Sequence, residues 1–186
     1  MSYIDLKERI EYLIPEGWAK RWGKEYLQDI NNVFSKYGLE PDVLDAKEKY
    51  GGLRVYLSSE PAEWSEHEAA WEYISEHTCV RCGKFPAPMR LFSWVSPYCD
   101  ECAWSGKDWA TGEKLEWPEE EKKELTEKDW DGRLLEYLHI NYYSNGEKKS
   151  EFIDMKPYYD LINWNYTSDD LISMDEMLKL EEGKDE

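Results

Sequence analysis

The sequence predicts an α+β protein: N-terminal helices and a β-hairpin with an inserted four-cysteine zinc ribbon, followed by an acidic α/β segment that contains a second hairpin. Three observations carry this. Apolar residues recur at helical spacing, at Leu6, Ile10, Leu13 and Ile14 and again at Trp22, Tyr26, Leu27, Ile30, Val33 and Phe34. Apolar residues in two later regions flank glycine turns, Tyr50-Gly51-Gly52 and Asn145-Gly146, the latter the strongest short hairpin signal in the chain. Four cysteines fall as Cys79-x2-Cys82 and Cys99-x2-Cys102 with sixteen residues between the pairs, a spacing that brings two thiolate pairs to one metal ion.

The elements follow in order. Ser2 is placed to cap a first helix, with Asp5 as its capping-box partner, and that helix ends before Pro15. A longer helix follows Gly17 and meets Gly38, a suitable C-terminal cap. Val43, Leu44 and Ala46, then Leu53, Val55 and Leu57, give two antiparallel strands. Pro61 opens a third helix with Trp64, Ala70, Trp71 and Ile74 facing inward. Between the cysteine pairs, Pro86 and Pro88 bound a turn and residues 89–95 form one strand of the ribbon hairpin. Gly83 supplies the permissive backbone that a knuckle needs where its amides turn toward thiolates.

Past Gly106 the composition shifts to Lys, Glu, Asp and Trp. Pro118 followed by Glu119, Glu120 and Glu121 starts a helix whose N-terminal dipole favours those acids, and it runs to near Gly132. Residues 134–143 and 148–155 flank Asn145-Gly146 as strands. Residues 158–166 suggest a further strand, Ser168 a cap for a short helix through Leu178, and the last residues a disordered tail. The expected domains are 1–105, with the ribbon at 79–102, and an acidic region 106–186.

Composition limits function. At 41% hydrophobic and 15% aromatic the chain of 186 residues can build a real core. Its net charge is −18, distributed unevenly: residues 1–100 hold 12 basic and 17 acidic groups, residues 101–186 hold 11 and 24. Nucleic acid repels such a surface unless a local basic patch is present. The chain opens on no basic stretch followed by an apolar one, and no apolar run reaches membrane length, so a cytoplasmic location without a membrane partner is expected. Close cysteine pairs in that setting favour metal over disulfides.

Four sulfur ligands close a tetrahedral site, leaving no seat for water or substrate, so one structural zinc per chain is expected. The only histidines are His67, His77 and His139. None lies between the cysteine pairs, which argues against an HNH-type nuclease. The open metal position and adjacent Glu of a zinc deaminase are also missing. Tyr50-Gly51-Gly52-Leu53 lacks the Lys and Ser/Thr of a phosphate loop. No catalytic residue is assigned and no enzyme is expected.

Two surfaces remain. Arg81, Lys84 and Arg90, with Trp94 interleaved, can touch a phosphate backbone and stack a base. The plainer reading is that Arg81 and Lys84 point their charges at the negative thiolate centre while Trp94 packs in the ribbon core. Glu119, Glu120, Glu121, Glu124, Glu127, Asp129 and Asp131 place seven carboxylates in thirteen residues. On a helix, Glu120, Glu124 and Glu127 share a face at spacings of roughly 5–6 Å, comparable to the phosphates of a nucleic-acid strand. The plainer reading is a solvated helix face.

Lys47-Glu48-Lys49-Tyr50-Gly51-Gly52-Leu53-Arg54-Val55-Tyr56, a following helix, Cys79-Val80-Arg81-Cys82-Gly83, then Arg90, Trp94 and Cys99-Asp100-Glu101-Cys102 together form a combination that resembles small uncharacterised proteins of bacteriophages and prophages. Those carry a glycine-turned strand pair followed by a four-ligand metal knuckle. The resemblance spans about residues 18–102 and stops after the second cysteine pair. It implies a mobile-element origin, hence a bacterial host cytoplasm, and no catalytic residue. The resulting expectation is an acidic antagonist of a host nucleic-acid-binding protein, such as an anti-CRISPR inhibitor of an RNA-guided nuclease. The alternative is a small regulator that binds DNA or RNA through its basic knuckle.

Overall fold

The structure is a computed structural model in which residues 3–184 are described. The Ser2 cap and the Asp5 side chain expected at the first helix lie outside the described residues. The fold is mixed α/β with small β-hairpins, and the chain divides into two compact units, Met1–Asp131 and Gly132–Glu186.

In the first unit α1 (Tyr3–Leu13) stops ahead of Pro15, as the missing proline amide requires. The second predicted helix is built in three parts: α2 (Glu16–Trp18), a π-helical stretch Ala19–Gly23, and α3 (Lys24–Ser35). A π-turn in mid-helix was not legible in the apolar spacing, and such insertions often accompany functional positions. Here Trp18 precedes it and Trp22 lies within it, their rings 5.8 Å apart and both fully buried. Gly38 ends the run with φ +67°, the left-handed cap the sequence predicts.

β1 (Val43–Lys49) and β2 (Gly52–Leu57) pair antiparallel. Tyr50 at φ +53° and Gly51 at φ +82° make the two-residue turn with both central residues left-handed, whose twist matches that of the strands. α4 (Trp64–Glu76) packs against β2 and α3, and buries all four inward residues predicted for it. Tyr26 stands edge-on to both Trp64 and Trp71, at 5.9 and 5.4 Å, and Phe34 edge-on to Trp64 at 5.9 Å. Burying each such ring contributes roughly 3 kcal/mol, so this aromatic cluster is a large part of the core of the unit.

The cysteine-bearing part follows. The single strand expected over 89–95 is a short hairpin, β3 (Met89–Leu91) with β4 (Val95–Pro97), because residues 92–94 turn the chain. After α5 (Asp100–Ala103) and a loop, α6 (Glu119–Glu124) begins after Pro118 as predicted but does not reach Gly132. Backbone pairing with β3 stops it: the Leu91 amide donates to the Leu125 carbonyl at 2.7 Å, and the Glu127 amide to the Met89 carbonyl at 2.9 Å. The first compact unit runs on past 105/106 to Asp131.

In the second unit β6 (Tyr137–Ser144) and β7 (Glu147–Asp154) form the hairpin predicted at Asn145-Gly146, both turn residues at positive φ. β5 (Leu134–Leu135) pairs in parallel with β8 (Leu171–Ile172). Residues 158–166 are not a strand. Pro157 sits in the first turn of α7 (Lys156–Leu161), where its fixed φ suits a helix and its missing amide costs nothing. Ser168 does not cap the last helix: Thr167 caps a 3-10 turn at Ser168–Asp170, and the Ser173 hydroxyl caps α8 (Met174–Glu182) by accepting from the Glu176 amide at 3.3 Å. The last helix runs on past Leu178 to Glu182, and residues 185–186, the end of the tail expected to be disordered, lie outside the described residues. Leu134, Ile153, Met155, Tyr159, Ile162, Leu171 and Met177 are buried in this unit.

Candidate metal centre

The first cysteine pair stands where α4 gives way to a tight knuckle, and the second at the start of α5. Thr78 anchors the approach. Its backbone carbonyl accepts the Trp18 indole N–H at 2.8 Å, its hydroxyl oxygen accepts that of Trp22 at 3.0 Å, and its own hydroxyl donates to the Ile74 carbonyl. The residue just before Cys79 is therefore held by the π-distorted helix. Within the knuckle the Cys79 amide donates to the Lys84 carbonyl, and the Gly83 amide returns to the Cys79 carbonyl, with Gly83 at φ +82°. Only glycine takes that conformation without strain.

The Lys84 and Cys102 amides point at Cys82 Sγ and Cys99 Sγ, each at 3.4 Å. The Val80 amide donates to the Pro97 carbonyl at 3.0 Å and so ties the knuckle to the hairpin that delivers the second pair.

The four Sγ atoms all lie within 4.8 Å of one another, and Cys82 and Cys99 approach to 3.6 Å. A tetrahedron of thiolates about 2.3 Å from a central ion has sulfurs about 3.8 Å apart, so this cluster has the size of a single-ion site. Its electrostatics agree. Burial and the crowding of neighbouring sulfurs push the Cys99 and Cys102 thiols up. Burial raises Cys79 also, but backbone N–H groups at Cys82, Cys99 and Arg81 overcome it and bring that thiol down to about 7. Thiols so placed ionise together only with a cation among them, and a coordinating thiol is deprotonated outright. Cys79, Cys82, Cys99 and Cys102 can hold a metal ion, and they are the only such group among the described residues.

His77 is not a ligand. Its Nδ1–H donates to the Tyr73 carbonyl at 2.8 Å and its ring stacks on Trp130 at 5.7 Å. Burial, only partly offset by that bond, takes its pKa down to about 4, so the ring is neutral at pH 7.

The residues predicted to touch nucleic acid separate. Arg81 and Lys84 are exposed on the knuckle, with Arg81 5.9 Å from the Tyr98 ring and weakly bonded to the Cys102 carbonyl at 3.4 Å. Trp94 is 64% exposed at the hairpin tip, its indole donating to Glu48 Oε2 at 3.0 Å. That contact sets the end of β1 beside the β3–β4 hairpin. Arg90 corrects its expectation: at 3% exposure it is a buried strut, donating to the Tyr98 carbonyl at 3.0 Å, the Thr126 hydroxyl at 2.6 Å and Asp100, with its guanidinium 5.0 Å from the Trp104 ring.

Of the seven acids, Glu119, Glu120, Glu121, Glu124, Asp129 and Asp131 are exposed. Glu127 is not part of a helical row. It lies past the end of α6, partly buried, its carboxylate accepting from the Met89 amide at 3.3 Å, and burial raises its pKa. The evenly spaced face of Glu120, Glu124 and Glu127 is therefore not formed. α6 and the segment after it border a cleft of about 890 Å³ with Arg90, Trp104 and Trp130 in its wall. Lys122, Lys123 and Lys128 alternate there with the acids.

Sequence reasoning missed Gly17 and Thr78. A glycine in the first turn of a helix, at a cost of roughly 1 kcal/mol against alanine, was the available signal that another backbone comes close.

The fold and the site define a mixed α/β protein with a four-cysteine cluster able to hold a metal ion. Comparison with protein-family models, curated proteins and solved structures gives no match. No helix among the described residues is long and apolar enough to cross a membrane.

Proposed function

We propose that this chain is a zinc-stapled binding protein of mobile-element origin that works in the bacterial cytoplasm as an acidic antagonist of a basic nucleic-acid-binding protein. Four thiolates around one tetrahedral position suit Zn²⁺ better than oxygen-seeking cations. The metal closes the ribbon and takes no part in chemistry. The observation that carries the reading is the contrast between its charged groups: six carboxylates between Glu119 and Asp131 stay exposed, whereas Arg90, the third cation of the basic patch, is buried and bonded through each of its three nitrogens. An RNA-guided nuclease, with its positively charged heteroduplex channel, is the partner to try first. Purified protein should retain such a nuclease at moderate salt and release it to nucleic acid. The reading falls if no basic nucleic-acid-binding protein is retained, or if retention survives conversion of Glu119, Glu120, Glu121 and Glu124 to lysine.

A second reading is supported by the exposure of Arg81, Lys84 and Trp94: direct binding of DNA or RNA. It requires retention on nucleic acid with a salt slope that disappears when those three residues are replaced. Against it, the shallow groove between Arg81 and Trp94 also carries Glu16 and Glu48.

A further inference from the structure

In the second unit the segment 134–144 has a strand neighbour on each side only at its beginning. The Glu136 carbonyl accepts from the Met155 amide, on the side of β7, while the Glu136 amide donates to the Ile172 carbonyl of β8 at 3.0 Å. β8 ends after two residues and Ser173 starts α8, so the edge it occupies continues along β6 without a strand. In a two-residue hairpin the closing pair, here Ser144 and Glu147, bonds across, and so does every second pair beyond it. The amides and carbonyls of Asn141 and Tyr143 therefore point away from β7, and among the described residues no backbone group outside the hairpin bonds them.

The composition of the two strands differs in the same sense. β7 carries Glu147, Lys148, Lys149, Glu151 and Asp154, and charged residues, lysine above all, discourage pairing at an edge. β6 reads Tyr-Leu-His-Ile-Asn-Tyr-Tyr-Ser and holds no Asp, Glu, Lys or Arg. Its outer half is open, with Tyr143 76% exposed. Directly across from this half stand Glu147 and Glu151 together with Lys148 and Lys149, while the unit as a whole is acidic, with 13 acidic and 6 basic residues in 132–186. A second copy of the chain would bring like charge to this edge, whereas an extended segment with alternating cations would bring opposite charge.

We infer that the outer half of β6, from Ile140 to Ser144, is a strand-addition site that takes an extended lysine- or arginine-bearing segment of the partner into the edge position that β8 fills at Leu134 and Leu135. Main-chain bonds to Asn141 and Tyr143 give the affinity, and the net negative charge of the unit selects the charge. The inference rests on the proposed basic partner for the origin of that segment, but its test does not need the partner.

The probe is an eight-residue peptide alternating lysine and valine, added to the full-length, metal-loaded protein. Amide hydrogen exchange at Asn141 and Tyr143 should slow by about tenfold or more as the edge closes. Asn141→Pro removes an outward amide and leaves the β6–β7 ladder intact, and it should weaken binding at least about fivefold. A peptide methylated on alternate backbone nitrogens keeps its charge and should not bind. Equal binding of the methylated peptide or of a glutamate-valine peptide, protection elsewhere in the chain, or peptide-independent dimerisation through β6 in sedimentation would each overturn the inference. Nuclease retention unaffected by Asn141→Pro would sink the edge and leave the acidic-antagonist reading standing. Peptide binding without nuclease retention would do the reverse.

Discussion

Gly17 lies against the backbone of the first cysteine knuckle. Its amide donates to the Val80 carbonyl at 2.9 Å, and a Cβ on it would stand 2.7 Å from both the Gly83 nitrogen and the Val80 carbonyl carbon and closer still to the Cys79 carbonyl oxygen. The return contact is as tight, since a Cβ on Gly83 would meet the Gly17 carbonyl oxygen at 2.6 Å. Two glycines, one at a helix start and one in the metal knuckle, thus make a joint with no room for a side chain.

Gly17→Ala should therefore cost more than ordinary overpacking, about 3 kcal/mol or more, because the atoms it strikes are backbone and cannot rotate aside. Urea unfolding of the metal-loaded protein measures this. The variant should also bind zinc more weakly in chelator competition, since Val80, Cys79 and Gly83 must shift. Gly23→Ala is the control: its nearest contact would be the Ala19 side chain at 3.8 Å, and alanine favours a helix, so no loss is expected there.

Chelation should unfold more than the cysteine knuckle and the β3–β4 hairpin. Elemental analysis is expected to give about one zinc per chain, and binding of structural zinc is worth on the order of 10 kcal/mol, comparable to the whole stability of a domain. Trp18 and Trp22 bond to Thr78 beside Cys79, so chelation should reduce the near-ultraviolet circular dichroism of the buried indoles as well as the thiolate-to-metal charge-transfer band. Protein purified without chelator and containing no zinc, or a chelated form with unchanged aromatic signal, would contradict this.

The sequence announced those elements whose signals are local. Asn145-Gly146 and Tyr50-Gly51 demand left-handed turns, the apolar rhythm of 22–34 marks a buried helix face, and Cys79-x2-Cys82 gathers with Cys99-x2-Cys102. What it did not announce depends on partners distant in the chain. Nothing near Glu124 says that residues 125–127 pair with β3, so α6 looked longer than it is and Glu127 appeared to lie on its face. Arg90 looked like a surface cation because its acceptors, Tyr98, Asp100 and Thr126, are assembled only by folding. Pro157 interrupts the strand pattern, but nothing local says that it stands in the first turn of α7.

Glu76 should make stability depend on pH. Burial first, then the neighbouring Glu72 carboxylate, raise its pKa to about 7 from an ordinary 4.5, with Arg54 opposing and Glu127 adding to the rise. A carboxyl raised in the folded state favours its protonated form. Its contribution is thus fully present below about pH 4.5 and lost as pH rises through about 7. The loss is on the order of 2–3 kcal/mol. Glu76→Gln keeps the shape without the charge, so it should stabilise the protein above pH 7 and flatten the fall in unfolding free energy between pH 5 and 8. If wild type and variant lose stability in parallel over that range, the charge on Glu76 is not responsible.

Arg90 and Asp100 are partners of unequal weight. The arginine is buried and holds three acceptors in different parts of the chain, whereas the Asp100 side chain is 82% exposed and water can replace what it gives. Asp100→Asn should therefore change stability by less than about 1 kcal/mol. Arg90→Lys leaves two of the three acceptors unserved in a buried site and should cost roughly 2–4 kcal/mol. Removing the charge separates the structural role from nucleic-acid contact. Arg90→Gln, read at low salt where a phosphate contact is strongest, should lose stability with no change in the salt slope of nucleic-acid binding. A reduced salt slope at unchanged stability would return Arg90 to the surface role its sequence position suggested.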